Sequence, residues 1–352
     1  MAGLSKLITR SCQALFALLA GTSMAMAQSP GDLDAITYYK THPLRFIAGG
    51  GPGGGYDNYA RLLAPYFSTE LGNSVIVDNQ GAVGGLIALN RMYATDNDGQ
   101  QIIIMNGGAA VMSQLFELKT VQYDLSRINF LATVSQSPWV VLVEPKSPVK
   151  TLADLKSLDV VRWPATGPID GLSDGASMLC EAFAMKCRAV LGYRSSNEGS
   201  LAIARNEMDA LYVSDTSANN YIKSGQNRAI AVVARARSRF LPDMPTIFEQ
   251  GGLNETQTWW MNARADIDAL GRIIMMNPKA PPERVAFIRA IVRKVLTDPA
   301  VIAEGVRLER YIDFQSPEVT RERALGLING MSAERKATLQ DVVMKKFLIG
   351  AQ

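Results

Sequence analysis

The chain has 352 residues, 47% of them apolar, and a formal charge of +3 from 36 basic and 33 acidic residues. That length is more than one core serves comfortably and is enough for two lobes. The near-neutral balance, without a concentrated basic stripe, excludes a nucleic-acid binder, and no apolar stretch reaches the ~20 residues a membrane-spanning helix needs.

Lys6 and Arg10 precede an apolar stretch at 14–20, and Ala25-Met26-Ala27 supplies small residues for cleavage, so residues 1–27 read as a secretory signal. Removing it leaves 352 − 27 = 325 residues and lowers the charge from +3 to +1. Cys12 lies before the apolar core, which argues against lipid attachment, and the absence of a twin-arginine pair predicts export in the unfolded state.

The first strand, ending Phe46-Ile47-Ala48, runs into GGGPGGG at 49–55 and then into a helix marked by Tyr59, Leu63, Tyr66, Phe67 and Leu71. That helix should end at Gly72 and kink at Pro65. A second strand, Val75-Ile76-Val77-Asp78, delivers NQGAVGG at 79–85 to a helix over 86–94. A strand that carries a side-chain-free loop to a helix N-terminus makes a socket of backbone N–H groups suited to an anion. Two in tandem suggest a carboxylate receptor. Ile102-Ile103-Ile104-Met105 is a continuous apolar run, the signature of a parallel strand covered on both faces, and Asn106-Gly107-Gly108 opens a third strand-to-helix loop.

Strands follow at 130–134 and 139–143, and Thr151 with Asp154 forms a capping box. A second series then alternates strands at 160–163, 189–191, 210–213 and 229–233 with helices at 176–184, 198–205 and 217–223. Pro242 and Pro245 punctuate the return; from Thr256 onward the pattern is mostly helical, with a helix opened by Pro282 and a terminal amphipathic helix over 332–347. The expected organisation is α/β: lobe 1 from 28–137 plus 246–352, lobe 2 from 138–245, and crossings near 137–139 and Thr246. Ligands of such sheets sit at the carboxyl ends of the strands.

Cys180 and Cys187 form an even pair in an oxidising compartment, so a disulfide is expected, with two buried free thiols as the alternative. Seven residues apart on one helix the Cα atoms would lie about 10 Å apart, so the helix must end near Met185. A metal site built from two cysteines and the lone His42 is not expected.

Three enzyme motifs occur by letter. Gly49, Gly51 and Gly54 satisfy G-x-G-x-x-G, with Asp78 at the place of a ribose-binding acid, but the second glycine loop has no role in a dinucleotide fold. Gly171-Leu172-Ser173-Asp174-Gly175 matches a nucleophile elbow, yet His42 precedes it and the triad cannot assemble in that order. Ser147-Pro148-Val149-Lys150 resembles S-x-x-K, with Ser214-Asp215-Thr216 as a loose partner and no K-T-G. The chain is therefore read as a binding protein without catalytic residues, metal or cofactor.

PGGGYDNYAR at 52–61, V-x-V-D-N-x-G-A-x-G-G at 75–85 and Asp98-Gly99 resemble the Bug-type solute-binding proteins, receptors of tripartite tricarboxylate transporters. The likeness continues through GYRSSNEGSLAIARNEMD, which ends at Asp209, through Lys223-Ser224-Gly225 and through Leu241-Pro242-Asp243-Met244-Pro245-Thr246, covering about 43–300. It implies a type II periplasmic-binding-protein fold, two βα lobes joined by two crossing segments, closing on a small organic carboxylate. By position, the resemblance assigns the contacts to Gly53, Gly54 and Asp57, to Gly81, Ala82, Gly84 and Gly85, and in the opposite lobe to Thr166, Gly167, Tyr193, Asp215 and Thr216. It also implies a periplasmic monomer that delivers its ligand to membrane transporter subunits. A periplasmic sensor for a membrane kinase, and a secreted α/β enzyme, are the competing classes.

Val83 and Ile87 stand where the family has glycines, Gly50 replaces a common aromatic, and 256–280 resembles only a divergent subgroup. Glycine at position 50 is expected to leave room for a bulkier acid. Asp57 has two readings, a helix cap alone or also an acceptor for the ligand, and Arg194 is the candidate cation of the second lobe unless it is simply solvated.

Overall fold

The computed structural model describes residues 30–349 except Asn97, so the expected signal at 1–27 lies outside the described residues. After α1 (Pro30–Thr41) the chain alternates β1 (Leu44–Ala48), α2 (Gly55–Leu71), β2 (Val75–Asn79), α3 (Leu86–Ala94), β3 (Gln101–Asn106), α4 (Gly107–Leu115) and β4 (Asn129–Ser135). It then enters a second series: β5 (Trp139–Val143), α5 (Leu152–Lys156), β6 (Val161–Ala165), α6 (Leu172–Ala182), β7 (Cys187–Leu191), α7 (Ser196–Ala204), β8 (Leu211–Ser214), α8 (Asp215–Lys223) and β9 (Arg228–Val233). The return comprises α9 (Glu255–Asp268), β10 (Arg272–Met276), α10 (Pro282–Thr297), α11 (Pro299–Arg307), α12 (Pro317–Gly330), α13 (Ala333–Asp341) and β11 (Leu348–Ile349).

The first lobe is a five-stranded sheet in the order β2-β1-β3-β10-β4, in which β10 runs antiparallel to both neighbours. Its apolar runs divide between two cores by the two-residue period of a strand. Ile102, Ile104, Ile274 and Met276 pack on one face with Phe46, Leu63 and Phe67, while Ile103, Met105, Ile273 and Met275 pack on the other with Ile47, Leu89 and Phe130. Both faces are covered, which is why the strands read as continuous apolar runs. Helix α2 continues through Pro65 and ends at Gly72, which adopts a left-handed conformation.

The second lobe holds two three-stranded ladders, β8-β5-β9 and β11-β7-β6. They meet where the Arg162 carbonyl accepts from the N–H groups of Asp209 and Ala210, and the Arg162 guanidinium grips the Asp209 carboxylate at 2.7 Å. Helix α6 ends at Ala182, Ala184 turns left-handed, and Cys187 comes back to bridge Cys180 with Cα atoms 6.3 Å apart, so the disulfide is formed.

Three elements differ from the sequence expectation. The return from Thr256 is mostly helical as expected, but it also contains a strand the sequence reading did not place, β10, which inserts between β3 and β4. Thr246 is fully buried and bridges to Val232, a strand of the second lobe, so the chain rejoins the first sheet only at Arg272. The crossings are 136–138 and 269–271, side by side, with the Gln136 amide donating to the Ala269 carbonyl. The expected terminal helix is α-helical only to Asp341, widens into a π turn (Val342–Lys346), and gives way to β11, which pairs with β7. The last elements thus leave the first sheet, and Leu339, Val343 and Phe347 join a core formed by the second lobe together with α4 and α9, beside Met112, Trp163 and Trp260.

Candidate functional site

The carboxyl ends of β1, β2, β3 and β4 lie along one edge of the first sheet, and the antiparallel β10 brings its first residue, Arg272, to the same edge. The two glycine loops meet there backbone against backbone. A Cβ on Gly81 would lie 2.7 Å from the carbonyl carbon of Gly50, and one on Gly85 would lie 2.7 Å from the Cα of Gly49. Gly85 also has φ of +87°, which a side chain disfavours. The loops that carry Gly53 and Gly54 and that carry Gly81, Ala82, Gly84 and Gly85 are therefore in direct backbone contact through residues 49–51.

Asp57 is 3% exposed and braces these loops from behind. Its carboxylate accepts from the Gly53 N–H at 2.8 Å and from the Asn79 amide at 3.0 Å, and pairs with Arg61 at 2.8 Å. Burial pushes its carboxyl up, but the bonds from Arg61, Gly53 and Asn79 together hold it below the ordinary value. Asn79 also donates to the Gly50 carbonyl, tying the second loop to the first. The N-cap of α2 is Gly54, with no side-chain bond, so the first-turn N–H groups are left without a cap.

In the second lobe, an internal acid that sequence reasoning passed over occupies the expected donors. The N–H groups of Thr166 and Gly167 both donate to Asp170, at 2.7 and 3.2 Å, as does the Thr166 hydroxyl. Ser173 N–H caps the other oxygen at 2.7 Å. Burial and the neighbouring Asp174 push the Asp170 carboxyl up against these bonds. Arg194 projects into solvent, its side chain 88% exposed and paired with Glu198, so it joins no cluster; Tyr193 lies partly buried at the mouth of the same turn. Asp215 is buried, accepts from Ser238 at 2.8 Å and has its carboxyl raised by burial. Thr216 stands 3.3 Å from the Ser137 hydroxyl on the crossing. A cavity of about 390 Å3 opens at this crossing, lined by Ser137, Asp215 and Thr216 but not by the glycine loops.

Two further residues were missed. Tyr56 lays its ring over Gly50, where a Cβ would touch Tyr56 Cδ2 at 3.0 Å, so the space expected from glycine at position 50 is already filled. Burial pushes the Tyr56 hydroxyl up to about 12, while the Arg272 charge opposes that shift. Arg272 itself donates through Nη1 to Ser135 and Ser137 at 3.1 and 3.0 Å and lies over the Tyr59 ring at 4.8 Å. The signal for it was present: Gly271 before and Asn277-Pro278 after bound a short apolar run, which is a strand pattern.

The enzyme motifs do not assemble. The Ser173 hydroxyl is fully buried and donates to Gly167 and Pro168 carbonyls; His42 stacks on Tyr38 at the end of α1; Asp78 pairs with Arg45 at 2.8 Å. Among the described residues no cluster of His, Cys, Asp or Glu suits a metal ion, and no helix is long and apolar enough to cross a membrane. What the edge offers is uncapped N–H groups, hydroxyls and a guanidinium, a set of donors for an anion.

A family model described as tripartite tricarboxylate transporter family receptor matches residues 59–304. A UPF0065 protein from the tcbD-tcbE intergenic region of Pseudomonas sp. strain P51 is 28% identical over 312 residues, 86% of this chain and 88% of its own length. Among solved structures, the periplasmic binding protein BugD superposes with a TM-score of 0.70 at 20% identity, over 86% of this chain and 97% of its own. Rpa4515 of R. palustris, solved with adipate, superposes with a TM-score of 0.71 at 18% identity, over the same shares of each chain. At these identities the superpositions establish the fold, that of two-lobed periplasmic binding proteins.

Proposed function

The chain belongs to the tripartite tricarboxylate transporter receptor family, and from that premise we propose that it captures one small organic carboxylate between its lobes outside the cytoplasm and passes it to the membrane subunits of a tripartite transporter. The observation that carries this reading is the pair of glycine loops held back to back at the uncapped N-terminus of α2. Main-chain N–H groups of Gly53, Gly54, Gly81, Ala82, Gly84 and Gly85 hold a carboxylate there, aided by the helix dipole. Asp57 shapes the loop and does not meet the ligand, since Gly53, Asn79 and Arg61 already engage both its oxygens. Across the cleft, Thr216 and Tyr193 supply hydroxyls, and the Thr166–Gly167 turn contributes shape, its donors being held by Asp170. The adipate in Rpa4515 supports a carboxylate as the ligand class. The receptor works as a periplasmic monomer, and closure about the paired crossings at 136–138 and 269–271 buries the ligand unchanged.

Thermal unfolding of the mature chain with mono-, di- and tricarboxylates, amino acids and aromatic acids tests this. A ligand at about 100 times its Kd stabilises the native state by about 2.7 kcal/mol, a shift of a few degrees. A shift confined to one carboxylate class supports the reading, and recovery of that ligand chemically unchanged separates binding from turnover. Protein freed of any co-purified ligand by unfolding and refolding, and then indifferent to every acid, overturns it.

A further inference from the structure

Arg272 is 8% exposed, and its Nε is buried without a hydrogen-bond partner. Nη1 takes the hydroxyls of Ser135 and Ser137, and among the described residues neither Nε nor Nη2 has a hydrogen-bond partner and the guanidinium forms no ion pair. The free side is thus the Nε–Nη2 edge, the fork that accepts a carboxylate through two parallel N–H···O bonds. That edge faces Gly55, the first residue of α2. A Cβ on Gly55 would sit in van der Waals contact with the fork, 3.4 Å from Nη2 and 3.7 Å from Nε, so glycine there keeps a side chain off it.

Two positive centres therefore converge on one place: a buried guanidinium and the N-terminus of a 17-residue helix that no side chain caps. Burying a charge without a direct ion pair is costly, Asp215 easing it only through space, and setting it against the positive end of a helix dipole adds to that cost. An anion between them removes both penalties. Resting on the functional reading above and going further, we propose that Arg272 is the cation that holds the ligand carboxylate, side-on, in the space beside Gly55. The family-like loops supply neutral donors; Arg272, from the divergent stretch of the chain, gives this receptor a direct counter-charge and so a requirement for an ionised acid over its amide or ester. Ser135 and Ser137 fix the guanidinium plane, and Ser137 reaches on to Thr216 in the opposite lobe.

The test is calorimetric titration of the best carboxylate from the thermal panel, and of its primary amide, into the wild type, Arg272→Gln and Gly55→Ala. We expect the wild type to bind the acid and not the amide, and both variants to lose at least tenfold in affinity for the acid. Gly55→Ala places a methyl group against the fork at a helical position that tolerates alanine, so its unliganded melting temperature should hold or rise while binding fails. Arg272→Gln should likewise keep its unliganded melting temperature, because it removes an unpaired buried charge; a purely structural arginine would instead lower it. Wild-type affinity in either variant overturns the proposal while leaving the functional reading standing. If Arg272→Gln does not fold, Gly55→Ala and Arg272→Lys, which keeps the charge without the fork, decide it, both being expected to bind weakly. A wild type that binds no carboxylate at all overturns the functional reading and this assignment with it.

Discussion

The contact between the two glycine loops can be dissected by adding one methyl group at a time. Gly84 has φ of +64° and nothing within 4 Å of a would-be Cβ, so Gly84→Ala reports backbone strain alone, about 1 kcal/mol. Gly81 has φ of −86°, which alanine accepts, but its Cβ would stand 2.7 Å from the Gly50 carbonyl carbon and 2.8 Å from the Gly51 nitrogen. Gly81→Ala therefore reports steric overlap alone, about 1–3 kcal/mol, since backbone cannot swing aside as a side chain can. Gly85 combines the two, with φ of +87° and an overlap at 2.7 Å, and Gly85→Ala should cost about 2–4 kcal/mol. Urea unfolding of the three variants, at unchanged m-value, gives the ranking, and calorimetry gives affinity. Binding should fall in Gly81→Ala and Gly85→Ala, where the loops are pushed apart, and hold more nearly in Gly84→Ala. The reasoning is refuted if Gly81→Ala is no more destabilising than Gly84→Ala, because the loops would then not be in the contact described.

Three other outcomes follow from the same structure. Asp57→Ala removes the acceptor shared by Gly53, Asn79 and Arg61 and should lower stability by about 2–3 kcal/mol in urea unfolding, with the heat of ligand binding nearly unchanged if the carboxylate only braces the loop. Replacing Cys180 and Cys187 together by alanine opens a bridge across a separation of seven residues and should cost roughly 2–3 kcal/mol, measured against the oxidised parent. In the buried cluster of Arg264, Asp174 and Asp268, burial raises the Asp268 carboxyl to about 6, so the native state holds that proton more tightly than the unfolded chain does. Its contribution to stability is present below the unfolded value near 4 and is lost as pH rises to about 6, and Asp268→Asn should flatten the change in melting temperature between pH 5 and 7.

Much of the first lobe was legible because its signals are local. Ile102-Ile103-Ile104-Met105 reads as a strand buried on both faces and is one, and the loops at 49–55 and 79–85 announce themselves by lacking side chains. The residues that were not legible depend on neighbours distant in sequence. Arg272 looks like a surface charge before an apolar run until β10 sets it against Ser135, Ser137 and the start of α2. Asp170 reads as one more loop acid, and only the folded turn brings Thr166, Gly167 and Ser173 to surround it. Arg194 errs in the other direction: proximity to a binding loop in sequence suggested a site, but the local i,i+4 pair with Glu198 faces it to water.

The pairing of β11 with β7 joins residues about 160 positions apart, and it sets a condition on how the second lobe comes into being. Bringing such distant segments together carries the loop-closure entropy of a long chain, and topologies dominated by such pairings fold slowly. Leu339, Val343 and Phe347 fill a core shared by residues 141–233, by α4 and by α9, so part of that core stays uncovered until the tail docks. Docking of the tail is then the step that commits the lobe, and shortening the chain just before Ala333 should leave a first lobe with its sheet complete beside a second lobe exposing apolar surface.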